Sequence, residues 1–288
     1  MTLRKDLHEE NRAAWNAATD AHNSHKADQA RFFREGGSTL YPEEIELLGE
    51  VAGKRLLHLQ CNAGQDTLSL AQWGAVVTGV DISDTAINFA RRLAAEAGIP
   101  AAFHRADIYD WLETTAESFD IVFSSYGALV WLSDIRLWGR GIAKVLKPGG
   151  RFALVEFHPF ISMYDEDFNL VLPYFGQGQP QTFESGIGDY VAVSGPASAP
   201  SGYLEGVQNF ANPHRSHEFA WGIGEVVTAL VEAGLTLTAL REYPYSNGFR
   251  PFHGMRELPG GRMVMPEGKP DLPLMYGLAA EKPQLASG

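Results

Sequence analysis

Cysteine is nearly missing from the 288 residues: Cys61 stands alone, which excludes an intrachain disulfide framework and a cysteine-built zinc site and fits a reducing compartment. Long hydrophobic runs are missing as well. No stretch approaches the roughly 18 apolar residues of a membrane span, and the first residues, MTLRKDLHEENRAAW, are charged where a secretory leader would be apolar. The expectation is a cytoplasmic chain without a membrane partner. Basic residues are scarce, 23 Lys and Arg against 35 Asp and Glu, for a formal net charge of −12, and they cluster only in pairs such as Arg91 and Arg92. Such a surface repels a phosphate backbone, which argues against nucleic acid as a partner. Internal repeats and low-complexity tracts are absent, and homo-oligomerisation is left open.

What is present is alternation. From Arg55 to Ala280, short β-branched or apolar runs alternate with helical patterns, as in βαβ units wound around a mostly parallel sheet. Strands are expected at Arg55 to Gln60, Ala75 to Asp81, Ala101 to Asp107, Phe119 to Ser125 and Arg151 to Phe157. Helices are expected at Asp66 to Trp73, Asp84 to Ala97, Ile135 to Leu146 and Ile223 to Ala233, the second capped by Ser83 or Asp84, the third stopped by Lys147-Pro148-Gly149-Gly150. Leu235 to Tyr243 and Leu272 to Ala280 then read as two strands with no helix between them, so the last should run antiparallel. The fold class is α/β, a doubly wound, seven-stranded, mostly parallel sheet. Leu3, Leu7, Ala14, Trp15 and Ala18 share one helical face and predict an extra helix from Arg4 to about Ala21. Residues 158–218 and 245–271 stand outside the alternation, and structureless segments of such length usually serve as lids. The tail from Glu281 to Gly288 is expected to fray.

The turn after the first strand, Gln60-Cys61-Asn62-Ala63-Gly64-Gln65, lies where open α/β sheets bind ligands, with backbone amides facing the ligand. Asp81, ending the second strand, suits two hydrogen bonds to a ribose diol. In Ala106-Asp107-Ile108 after the third strand, the carboxylate suits an adenine amino group, and Ile82 and Ile108 offer apolar faces to a purine.

These segments resemble the class I S-adenosylmethionine methyltransferases, whose glycine-rich first loop, two acids and Lys-Pro-Gly-Gly turn occur in this order. The likeness is close over Arg55 to Pro159. The run from Leu59 to Ala71, with Glu156-Phe157-His158-Pro159 and Pro244-Tyr245-Ser246, is similar to a bacterial subgroup acting on small molecules. Common members carry an acid where His58 stands and glycines where Gln60 and Asn62 stand. The resemblance implies S-adenosyl-L-methionine as cofactor and a single methyltransferase domain over 1–288. Within it, 1–50 is a helical cover, 51–157 the cofactor-binding half, and 158–218 and 245–271 are lids over a small-molecule acceptor.

A nicotinamide dehydrogenase shares the sheet and the ribose acid, yet its G-x-G-x-x-G would need glycines at Gln60, Asn62 and Gln65, and no Tyr is followed four residues on by Lys. A non-catalytic cofactor-binding protein and a protein methyltransferase stay as alternatives. His22 with His25 and His214 with His217 read as loop histidines, and no metal is expected.

Methyl transfer asks the protein mainly to align the acceptor and exclude water. Ser124 on the cofactor side, with Ser125, Tyr126 and Trp131, follows the fourth strand and faces this space. Past the fifth, His158 is the expected general base with Glu156 orienting it; the alternative is that His158 caps the strand and Glu156 satisfies backbone amides. Phe157, Phe160, Tyr164, Tyr174, Phe175 and Trp221 are expected to line an apolar acceptor pocket, and Trp15 and His22, counted with the substrate-binding residues, to close over the cofactor.

Overall fold

The computed structural model describes residues 3–284. Three helices precede the sheet: α1 (Lys5–Ser24), α2 (Gln29–Arg34) and α3 (Pro42–Leu48). The alternating core follows as β1 (Arg55–Leu59), α4 (Gln65–Gln72), β2 (Val76–Asp81), α5 (Asp84–Ala97), β3 (Ala102–Arg105), α6 (Ile108–Thr114), β4 (Phe119–Ser125), α7 (Ile135–Val145) and β5 (Leu146–Phe157). After it come β6 (Pro180–Phe183), α8 (Tyr190–Ser194), β7 (Ser216–Phe219), α9 (Ile223–Glu232), β8 (Thr236–Tyr243), β9 (Tyr245–Asn247), β10 (Arg256–Leu258), β11 (Arg262–Val264) and β12 (Met275–Glu281).

Seven strands form one sheet in the order β3-β2-β1-β4-β5-β12-β8. β1 pairs in parallel with β2 and β4, whereas β12 runs antiparallel between β5 and β8. Chain order therefore reverses between β1 and β4, and the crevice beyond their carboxyl ends is the ligand position of open α/β sheets. Side-chain alternation splits the strands between two cores. Leu57, Val122 and Phe152 face α7 and α9 through Trp138, Ile142 and Leu230, and the intervening Leu56, Ile121 and Ala153 face α3 and α4 through Leu48 and Leu70. Burial on both faces is why these strands read as near-continuous apolar runs.

Helix ends follow local chemistry. Ser83 caps α5 by accepting from the Ala86 amide, Gly98 ends it in the left-handed region, and Asp134 caps α7 through the Leu137 amide. The two segments expected to be structureless carry small sheets of their own, β6 with β7 and β10-β11-β9. The expected frayed tail is ordered at least to Lys282, whose amide and carbonyl pair with Gly150 and Gly149; residues 285–288 lie outside the described residues. No described helix is long and apolar enough to cross a membrane.

Candidate active site

The turn after β1 does its work without the usual glycines. Gln60 and Asn62 sit at φ 54° and 48°, and Gly64 follows at φ 82° as the residue before α4. Asn62 visits this region readily, its Oδ1 accepting from the Ala63 amide at 2.6 Å, while Gln60 is held there by its side chain. At Gly64 a side chain is not tolerated: a Cβ there would stand 2.7 Å from the Ala90 Cβ and 2.8 Å from the Phe103 ring. Gln60 ties the turn to the next loop, its Nε2 donating to the Ala128 carbonyl at 2.6 Å.

Asp81 is fixed at the mouth of this turn. One carboxylate oxygen accepts from the Asn62 amide at 2.9 Å, the other from the Ser83 amide at 2.8 Å. Each oxygen keeps a lone pair for a ligand hydroxyl. Asp107 is engaged differently: one oxygen caps α6 through the Tyr109 amide at 2.9 Å, and the other meets His8 Nδ1 at 2.7 Å. His8 stacks on Tyr109 and reaches Ser133 Oγ with its other nitrogen at 2.8 Å. This bond pins α1 over the crevice, a role for Asp107 that a strand-end acid alone does not disclose.

The crevice opens into a cavity of about 640 Å³. Gln60, Cys61, Asn62, Gln65, Asp81, Ile82, Asp107 and Ile108 line it, as do Trp15, Ser125, Tyr126, Trp131 and Phe157. Gly64 is buried beneath it. Trp15 and Trp131 meet edge to face with centroids 5.4 Å apart. Tyr126, at φ 29°, accepts from Asn247 Nδ2 at 2.9 Å, so the second insertion is anchored to the loop after β4.

Several expected site residues lie elsewhere. Glu156 is buried and its carboxylate accepts from the Phe157, Ala128 and Leu129 amides at 2.7, 2.8 and 3.0 Å, and from the Gly127 amide. It therefore holds the loop after β4 and does not orient His158. His158 turns toward the other edge of the sheet, Nε2 against Glu242 at 3.0 Å and Nδ1 accepting from the Phe160 amide at 3.1 Å, because its neighbours are β12 and β8. It does not reach the cavity. Ser124 is fully buried in β4, Ala106 packs on the core, and Trp221 donates to the Leu132 carbonyl at 2.8 Å from inside that core. Phe160 and Tyr164 pack under the second insertion, Tyr174 stacks edge-on to Phe175, and Phe175 is 70% exposed. His22 is buried behind the cavity wall, its Nε2 donating to the Gly188 carbonyl at 2.9 Å, and burial pushes it down to about 4.

We expect His158→Ala to change S-adenosylhomocysteine affinity by less than about twofold while costing roughly 1 to 2 kcal/mol of stability through its two lost hydrogen bonds. Calorimetry and thermal unfolding on the same protein check this; a large loss of ligand affinity with unchanged stability would return His158 to the site.

In place of His158 the cavity holds groups that the strand pattern does not reveal. Lys26, Thr39, Tyr41 and Tyr190 line it, contributed by the segments around α2, α3 and α8. Asp66, in the first turn of α4, accepts from Thr39 Oγ1 at 2.6 Å and from Ser125 Oγ at 3.4 Å, and burial raises its proton affinity. His58 bonds Thr67 Oγ1 at 2.8 Å and Ser125 Oγ at 3.3 Å.

Burial drives His58 from 6.5 down to about 3, so it is neutral in the fold and must charge on unfolding in acid. Its folded value being depressed, the unfolded chain binds the extra proton between those limits. Stability from this residue is complete above about pH 6.5 and falls by roughly 2 kcal/mol by pH 5. Glu218, pushed up to about 7, slopes the opposite way. The readout is therefore the difference between wild type and His58→Gln: the wild-type advantage should shrink by that amount from pH 7 to about pH 5. A constant difference in urea midpoints across the range would show that His58 is not held neutral.

Residues 56–150 match the family described as a methyltransferase domain. An uncharacterised methyltransferase of Synechocystis is 36% identical over 116 residues, 40% of this chain and 52% of that protein. A ubiquinone biosynthesis O-methyltransferase of Bordetella avium is 30% identical over 105 residues, 36% of this chain and 43% of its own length. An S-adenosyl-L-methionine-dependent Diels-Alderase of Talaromyces variabilis is 38% identical over 129 residues, 39% and 40% of the two chains. This chain thus spans about half or less of the length of these relatives. Among solved structures, a methyltransferase of Streptomyces caelestis superposes with a TM-score of 0.58 over 96% of this chain and 99% of its own, at 14% identity, which speaks for the fold. Residues 56–150 thus match a methyltransferase domain, and the strand order agrees with the fold of a solved methyltransferase structure over nearly the whole chain.

Proposed function

We propose that the protein transfers a methyl group from S-adenosyl-L-methionine to a small, aromatic or otherwise apolar molecule enclosed in the cavity. The observation that carries this is the continuity of one space, from Asp81 and the β1–α4 turn to a chamber walled by Trp15, Tyr41, Tyr126, Trp131 and Tyr190. Its volume is that of a ligand pocket, and walls drawn from the N-terminal helices and both insertions favour a small molecule over a polypeptide. The net charge argues against nucleic acid.

The turn fits the cofactor. Asp81 retains lone pairs for ribose hydroxyls, the unglycinated turn already has the left-handed backbone that brings amides to the crevice, and Ile82 and Ile108 flank the purine position. The cofactor, when bound, supplies a methyl on a sulfonium that needs no further activation. The chain's share is alignment and exclusion of water.

Incubating cell extracts with methyl-labelled S-adenosylmethionine and the protein should label one or a few small molecules. Labelled polypeptide would replace this reading with protein methylation. A second reading, cofactor binding without methyl transfer, is favoured by the Diels-Alderase relative; bound S-adenosylmethionine with no labelled product would select it.

A further inference from the structure

Lys26 is the most singular group in the cavity. Its backbone is fixed between the end of α1, where its amide donates to the Asn23 carbonyl at 3.2 Å, and an isolated bridge to Tyr203 in the first insertion. Its side chain lines the cavity, and among the described residues no ion pair or hydrogen bond satisfies the ammonium; the charge that acts on it is Asp66. Asp66 is half satisfied: one oxygen takes the short bond from Thr39, while the other has only Ser125 Oγ at 3.4 Å.

A cation and a carboxylate that line one chamber without bonding each other suit a group that both accepts and donates. An amine or ammonium would meet the Lys26 ammonium, and a carboxylate would meet Asp66. A hydroxyl accepts from the first and donates to the second. We propose, resting on the methyltransferase reading, that the acceptor presents an acidic hydroxyl, a phenol or an enol, held between Lys26 Nζ and the Asp66 carboxylate. The methylated atom is then that oxygen or a ring carbon made electron-rich by it.

The surroundings agree. Burial lowers Lys26 to about 8 and raises Asp66; both are half-buried, with part of their surface left toward the cavity for a bound hydroxyl. The titratable neighbours are Tyr41 and Glu44 from the α3 region, Tyr126 after β4, and Asp189 and Tyr190 at α8. Burial holds Glu44 and the three tyrosines toward their protonated forms, and Asp189 is paired with His25 at 2.9 Å. Arg250, which also lines the cavity, is paired with Glu257 at 3.7 Å, and Lys26 is left as the unpaired cation for a developing oxyanion at this place.

The test uses the full chain saturated with S-adenosylhomocysteine and two matched rings, para-nitrophenol and para-nitroanisole, in mildly acidic buffer, where the free phenol is protonated. Wild type should bind the phenol about tenfold or more tightly than the ether, and, the phenol's proton passing to the Asp66 carboxylate, the bound phenol should show its phenolate absorption band. Lys26→Met should abolish both the preference and the band, Lys26→Arg should keep most of the preference, and S-adenosylhomocysteine affinity should be unchanged in both. Thermal unfolding confirms the fold, and Lys26→Gln replaces the methionine variant if that one does not fold. The proposal is overturned if wild type shows no preference between the rings, including binding neither, or if the methionine variant keeps preference and band. It is equally overturned if the loss falls on S-adenosylhomocysteine, which would make Lys26 the partner of the cofactor's own carboxylate. Retained S-adenosylhomocysteine binding without phenol preference removes the hydroxyl assignment and leaves the methyltransferase reading standing; no S-adenosylhomocysteine binding removes that reading itself.

Discussion

Asp81→Ala should weaken S-adenosylhomocysteine binding by about 1.5 to 3 kcal/mol, roughly ten- to hundredfold in dissociation constant, with the sheet still folded. Two effects add. In the proposed binding mode the ribose loses a charge-assisted acceptor, and the Asn62 and Ser83 amides lose the carboxylate that fixes the turn and the start of α5. The second effect is sharpened by the backbone: Asn62 sits at φ 48°, a conformation that a non-glycine residue keeps only while its surroundings hold it. Asp81→Asn separates the two. It retains one acceptor oxygen but presents a donor to one of the amides, so its loss should fall between wild type and the alanine variant. Isothermal calorimetry with circular dichroism measures both quantities, and a folded alanine variant with wild-type affinity would mean that the ribose is held elsewhere.

The sheet was legible because burial on both faces leaves a mark in composition. Phe119 to Ser125 and Asp84 to Ala97 coincide with β4 and α5, since the first is built around the apolar run Ile121-Val122-Phe123 and the second is bounded by a serine cap and a glycine stop. α2, α3 and α6 escaped notice for the opposite reason. Each is six or seven residues, too short for periodicity to declare itself, and stands because a cap or a neighbour supports it: Asp28 for α2, Asp107 for α6, and for α3 a Glu44 side chain returning to the Tyr41 amide.

The acids at the carboxyl edge of the sheet were legible because they close apolar runs, and the structure sets both Asp81 and Asp107 at the cavity, the second also capping α6 and holding His8. The acceptor side was not, because its walls come from segments that meet only in three dimensions. His8 finds Asp107 ninety-nine positions away, and Tyr126 finds Asn247 after one hundred and twenty-one. His158 misled for a physical reason. Position immediately after β5 places a residue at the right end of the sheet but does not say whether the side chain leans toward β4 and the crevice or toward β12. Here the Leu274 carbonyl takes the His158 amide and Glu242 takes the ring. A basic residue inside a lid connector, Lys26 in Ser24-His25-Lys26-Ala27, carried a weaker signal than any histidine near a strand and proved to be the cavity's free cation among the described residues.

Glu156→Ala should destabilise the protein more than any cavity substitution, by about 3 to 5 kcal/mol. The side chain is 4% exposed, and four backbone amides from Gly127, Ala128, Leu129 and Phe157 point at its two oxygens. An acceptor facing four donors is matched by an ionised carboxylate, although burial alone pushes its proton affinity up. Removing it orphans donors that no other described group reaches. The same amides begin the turn carrying Trp131, and Tyr126 just before them is held at φ 29°, so the loop that walls the cavity should loosen together with the core. Glu156→Gln preserves size and one acceptor oxygen but turns an NH₂ toward amide donors, and its cost should approach that of alanine where a mere cavity effect would leave it near wild type. Urea unfolding of both variants, followed by the fluorescence of the six tryptophans, distinguishes the cases: a glutamine variant as stable as wild type would show that shape, and not the charge meeting four amides, is what Glu156 supplies.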